Sequence, residues 1–179
     1  MTSEPITSPS ASTVTANSVL LIVDAESLLS RYPQPSLEPQ KPTVIEDGFI
    51  FPVTSGTTTQ NAENDSKITL TANNEKVFHI RGRTVSLLTE HTVVFHDLTV
   101  DAAGVLSPPK LIVHSDQTVP APDPANPTQP GSHSADDHYW ECSQLSTGVT
   151  ACELNFMLIN QRCEAVGYFR WKTEVTLSA

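Results

Sequence analysis

The apolar residues of this chain come in short runs that stop at Gly, Asn or Pro before a helix of ordinary length has formed. Val19–Val23 is an uninterrupted apolar run, the pattern of a strand covered on both faces. Further strand candidates are Phe49–Val53, Lys67–Thr71, Lys76–Arg81, Thr92–Val100, Lys110–His114, Asp137–Leu145, Gly148–Asn160 and Cys163–Trp171, with Thr173–Leu177 continuing the edge. Ser55–Gly56, Asn73–Asn74, Ala103–Gly104 and Thr147–Gly148 supply turn chemistry between them. Thr occurs 21 times and Val 16 times, and branching at Cβ favours extended backbone over helix. Only Asp24–Arg31 reads as helical, and it makes about two turns. The pattern predicts an all-β fold: an antiparallel β-sandwich, jelly-roll or immunoglobulin-like, with one short helix and two Pro-rich loops.

Residues 1–16 are Ser, Thr and Pro with little to bury and are expected to form a disordered arm. Residues 17–179 are then a single sandwich domain, large enough to bury a core without disulfides or metals. The Pro-rich stretches Tyr32–Thr43 and Val119–Pro130 are expected to be stiff surface connections, since proline fixes φ and removes a donor. Acidic residues outnumber basic ones 20 to 10, a formal charge of −10. Phosphate backbones and anionic lipid are bound through Lys and Arg clusters, so nucleic-acid and membrane-surface roles are not expected. Neither a signal peptide nor a transmembrane segment is expected, because Val19–Val23 is too short for either. Three cysteines, Cys142, Cys152 and Cys163, match no disulfide framework and no common zinc spacing, which points to the cytoplasm and reduced thiols.

No G-x-S-x-G, H-E-x-x-H, G-x-G-x-x-G or P-loop is present, so no catalytic residue is assigned and the chain is not expected to be an enzyme. His91 and His96 fall on opposite faces of a regular strand and cannot share an ion. His133 and His138 bracket Asp136 and Asp137 in what reads as a loop. That set is either a divalent-metal site, with calcium the candidate ion, or an ordinary solvated loop, and no cofactor is required. His79 and Arg81 share one strand face, suited to a carboxylate or phosphate or simply to solvent. Trp140 shares parity with His138 and Cys142, while Tyr139 points the other way with Glu141. Phe169 and Trp171 likewise alternate with Tyr168 and Arg170. Rings left outside the core would suit sugar stacking. The speculative platform is Trp140, Tyr168 and Trp171, with Asp136, Asp137 and Asn155 bonding hydroxyls. Core or interface packing is the competing fate of these aromatics. Cys152, Leu154, Phe156 and Leu158 share one parity and are expected in the core, whereas Cys163 is expected to be exposed. Asn64-Asp65-Ser66 fits a glycosylation pattern that a non-secreted chain would not use.

Several segments together resemble one family. They are NSVLLIVDAESLLSRYPQPSLEPQKPT near the start, VPAPDPANPTQP in the middle, and DHYW followed by LNFMLINQRCEAVGYFRW near the end. The resemblance is to the PixA/AidA family of bacterial inclusion-body proteins and spans about residues 17–177. It implies a compact β-sandwich that accumulates in the cytoplasm, in some members as crystalline inclusions. Quorum-sensing control and a link to host interaction or virulence belong to the same picture, and no catalytic residue comes with it. Gln161-Arg162-Cys163-Glu164 and Trp171-Lys172-Thr173 depart from the family pattern at the exit hairpin. The expected function is therefore a non-enzymatic, self-associating inclusion-body-type protein, a homodimer or higher. A carbohydrate-binding module with a glycan ligand is the alternative.

Overall fold

A computed structural model describes residues 16–54, 67–71, 76–86, 90–102 and 104–178. Residues 1–15 of the expected N-terminal arm, the turns at Ser55–Gly56 and Asn73–Asn74, Ala103 of the turn at Ala103–Gly104, and the Asn64 sequon lie outside these described residues. The elements in chain order are β1 (Asn17–Val23), α1 (Ala25–Arg31), β2 (Thr43–Val44), β3 (Ile50–Thr54), β4 (Ile68–Thr71) and β5 (Val77–Thr84). They continue with β6 (His91–Val100), β7 (Lys110–Pro122), β8 (Pro130–Ser143), β9 (Gly148–Asn160) and β10 (Ala165–Ser178). Sheet A has the order β3-β1-β5-β8-β7. Sheet B has the order β2-β10-β9-β6, with β4 also on β10.

The two-residue alternation of β9 and β10 builds the inner face of sheet B. Thr150, Cys152, Leu154, Phe156 and Leu158 are buried from β9, and Phe169, Trp171, Thr173, Val175 and Leu177 from β10. Sheet A meets them with Val19, Leu21, Val23, Phe78 and Cys142. At the centre, Phe156 stacks on Phe169 with centroids 5.4 Å apart and packs against Phe95 at 5.3 Å. β1 buries only one face fully, because Leu20 and Ile22 on its outer side are half-buried. Helix α1 starts where Asp24 Oδ1 accepts the Ser27 amide at 3.0 Å, and it buries Ala25 and Leu28.

The expected sandwich is present, but its pairings are mixed. β1 runs parallel to β5, and β10 runs parallel to both β2 and β4. The second Pro-rich stretch is also more ordered than a plain connector. β7 and β8 run into it from both sides, and Asp123–Gln129 forms the tip of one long hairpin, held by Asn126 N donating to Asp123 O at 3.2 Å. The first Pro-rich stretch crosses β10, where Ser36 O accepts the Tyr168 amide at 2.8 Å.

Two glycines make room for this packing. A Cβ on Gly82 would sit 2.4 Å from the Phe95 ring, and one on Gly167 would sit 2.6 Å from Pro35. Neither position requires a left-handed backbone; both require the space. Gly82→Ala is therefore expected to destabilise the fold by about 1–3 kcal/mol through overpacking. Urea unfolding should show a lower midpoint at unchanged slope, and an unaltered midpoint would refute the close approach.

Candidate functional site

The outer face of sheet A carries a cluster built on Tyr139. Register places His79 of β5 opposite Glu141 of β8, Ile112 of β7 opposite Tyr139, and His114 opposite Asp137. Tyr139 faces outward and is nevertheless only 9% exposed. The His79 ring stacks on it with centroids 4.1 Å apart, and the Arg81 guanidinium carbon lies 4.4 Å from its centroid. Its hydroxyl lies 3.1 Å from His114 Nε2. Arg81 forks onto Asp137, with Nη2 donating to Oδ2 at 2.8 Å and Nε to Oδ1 at 3.4 Å. The Arg81 hydrogen bond holds the Asp137 carboxyl below its usual range, against the opposing effect of burial. His79 Nε2 lies 3.2 Å from Glu141 Oε2. The basic pair His79 and Arg81 does face outward, but each member already has a carboxylate of its own chain. An external anion would have to displace it.

The outer face of sheet B carries a second network. Asn155 is 6% exposed, donates from Nδ2 to Asp97 Oδ2 at 2.9 Å, and accepts Arg170 Nε at 2.9 Å. Arg170 and Lys172 both approach Glu153, at 3.0 and 3.5 Å. Beside them Tyr168 meets His96 edge-on at 5.8 Å, and burial pushes the His96 imidazole below its usual pKa, with Asp97 opposing. At one end of this face an open cleft of about 690 Å³ is lined by Asp47, Asp101, Glu153 and Glu174 with Lys67 and Lys172. Between the sheets, the void beside Cys142 and Cys152 has only about 20 Å³, no room for an organic ligand.

The residues of the suggested sugar platform are not brought together. Trp171 is 1% exposed in the core, with Nε1 donating to Asp47 Oδ1 at 3.0 Å. Trp140 is half-buried on the inner side of sheet A, where Nε1 donates to Phe95 O at 2.9 Å. Tyr168 and Asn155 lie on the outer face of sheet B, and Asp137 on the outer face of sheet A. The suggested metal ligands also disperse. His133, Asp136, Asp137 and His138 lie within β8, not in a loop, so neighbouring side chains point to opposite faces. Asp136 Oδ1 accepts the Asp116 amide at 3.0 Å, while Asp137 holds Arg81. His91 and His96 are apart, as expected, although the strand is not regular: a bulge between Phe95 and Asp97 resets its parity.

Cys142 and Cys152 are core residues whose thiols burial pushes up to about 12, so at neutral pH they are inert. Cys163 is exposed. Tyr139, Glu141 and His114 were not assigned a role by sequence reasoning. The parity of β8 places Tyr139 and Glu141 together, but only the β5–β8 and β7–β8 registers bring His79 and His114 to them.

The fold is a two-sheet β-sandwich whose outer faces each carry an internally paired polar cluster. The chain belongs to the PixA family, described as inclusion body protein, whose family model matches residues 15–177. A solved inclusion body protein of that family from Burkholderia cenocepacia J2315 has the same fold, with a TM-score of 0.74 at 19% identity. The match covers 91% of this chain and 95% of the other. No curated protein matches the chain.

The Tyr139 cluster generates a pH-dependent expectation. Because the Asp137 pKa is depressed in the folded state, its stabilisation is full above the ordinary value of 3.8 and is lost as pH falls through the lower folded value. Asp137→Asn is expected to cost about 1 kcal/mol at neutral pH. The difference from the parent in denaturant midpoint should shrink in acid. A difference that stays constant with pH would assign the loss to packing and not to charge.

Proposed function

We propose that this chain is a non-enzymatic, self-associating inclusion-body-type protein of the cytoplasm whose partners are further copies of itself. Family membership supports the inclusion-body reading. Expression under cell-density control and a link to host interaction or virulence are part of the same proposal and rest on the family resemblance. The observation that carries self-association is the edge of sheet A. β7 closes the sheet, most of its residues are exposed, and Leu111 and Val113 stand 42% and 59% exposed on it.

An unpaired edge offers a row of backbone donors and acceptors to another strand. Pro120 and Pro122 lack donors, and the ladder is irregular between His114 and Gln117, so the segment suited to pairing is Lys110–His114. Two copies meeting there around a twofold axis would cover Leu111 and Val113. The net charge of −10 opposes this at low salt and is screened at higher salt. The carbohydrate-binding reading has less support, since its aromatic residues are split between the core and two sheets.

Association should therefore strengthen as salt rises, with the mass measured by light scattering across a concentration series. Val113→Lys alters an exposed side chain, is expected to shift stability by no more than about 0.5 kcal/mol, and should move the population toward monomer. A parent chain that stays monomeric at every salt and concentration would refute self-association. An associating parent with an unaffected Val113→Lys variant would refute this edge.

A further inference from the structure

Glu26, Glu90 and His91 present ligand atoms that all lie within 4.8 Å of one another. They come from parts of the chain that share no β-pairing. Glu26 is on α1, which follows β1 of sheet A, whereas His91 opens β6, the edge strand of sheet B. The His91 backbone is fixed from two sides: it pairs with Asn160 across β6 and β9, and its carbonyl accepts the Thr84 hydroxyl at 2.7 Å.

The ring is aimed at the carboxylates. His91 Nδ1 is buried and, among the described residues, has no hydrogen-bond partner, and it stops 3.9 Å short of Glu26 Oε1. That gap is too long for a hydrogen bond. It is the right length for two ligands of one ion, since bonds of about 2.0–2.2 Å separate ligand atoms by about 3–4 Å. Burying an imidazole nitrogen without a partner is unfavourable, and a shared cation removes that penalty while holding the two carboxylates together.

We propose that Glu26, Glu90 and His91 form a Zn²⁺ site that clamps helix α1 to the start of β6. One imidazole and two carboxylates suit a borderline divalent ion. Calcium and magnesium prefer all-oxygen sets, and copper(I) prefers sulfur. Three protein ligands leave a position for water. The clamp holds α1 against sheet B at the end of the sandwich where Thr84 of β5 already reaches His91 of β6.

The test uses the full chain carrying Cys163→Ser, so that the exposed thiol takes no metal, after treatment with a chelator. Calorimetric titration with Zn²⁺ should show one equivalent bound, and the melting temperature should rise on loading. Glu26→Gln and Glu90→Gln alter exposed side chains and should each weaken binding at least tenfold. His91→Asn should abolish it, and His133→Ala should leave it unchanged. With Co²⁺ in place of Zn²⁺, the visible spectrum should show ligand-field bands and no thiolate charge-transfer band. The proposal is overturned if the chain binds no Zn²⁺, if either glutamate variant binds like its parent, or if a thiolate band appears. The first of these outcomes would leave Glu26 and His91 as a simple ion pair formed when the imidazole is protonated.

Discussion

The indole of Trp171 must be buried and hydrogen-bonded at the same time, and the way the chain meets both demands organises the sandwich. Its ring fills the core beside the inner-facing residues of β9, where burial is favourable, but an unpaired indole N–H there would be costly. Asp47 supplies the acceptor at 3.0 Å. Asp47 lies in the connection from β2 to β3, so this one bond sits where the chain leaves sheet B for the edge of sheet A. Trp140 repeats the device in the other direction. It belongs to sheet A, and its Nε1 reaches the Phe95 carbonyl on β6 of sheet B. One indole thus ties the two sheets directly, and the other ties β10 to the connection that runs between them, each through a polar bond.

Much of the fold was legible because alternation is a local signal. The bounds of β9 and the helix following Asp24 were readable from sequence, as was the core parity of Cys152 to Leu158. The parallel pairings were not, since nothing in Ile68–Thr71 or Thr43–Val44 states that β10 is their neighbour. The reading of His133–His138 as a loop failed for a related reason. Pro, Gly and Ser around residue 130 look like loop, yet β8 runs through them because β7 supplies its partners and the turn lies earlier, at Asp123–Gln129.

The candidate sites follow the same division. Parity on β8 separates Tyr139 from Trp140, which the sequence contains. That His79 and Arg81 clamp Tyr139 while taking Glu141 and Asp137 as counter-charges depends on which strand lies alongside, which the sequence does not display. The aromatic platform dissolved because Trp171 and Tyr168 are adjacent in strand pattern but opposite in environment, one in the core and one against His96. Glu26 is distant in sequence from the adjacent pair Glu90 and His91, and the three belong to no motif.

The parallel pairing of β10 with β2 and β4 has a consequence for how the molecule comes into being. Thr43 waits for Phe169 and Ile68 for Val175. Sheet B therefore cannot be completed until β10 has left the ribosome. Non-local pairings of this kind close slowly, because the loop entropy is lost before the contacts form. During synthesis the strands that will flank β10 have no template. The chain must therefore pass through a stage in which sheet edges other than β7 are open to neighbouring nascent chains.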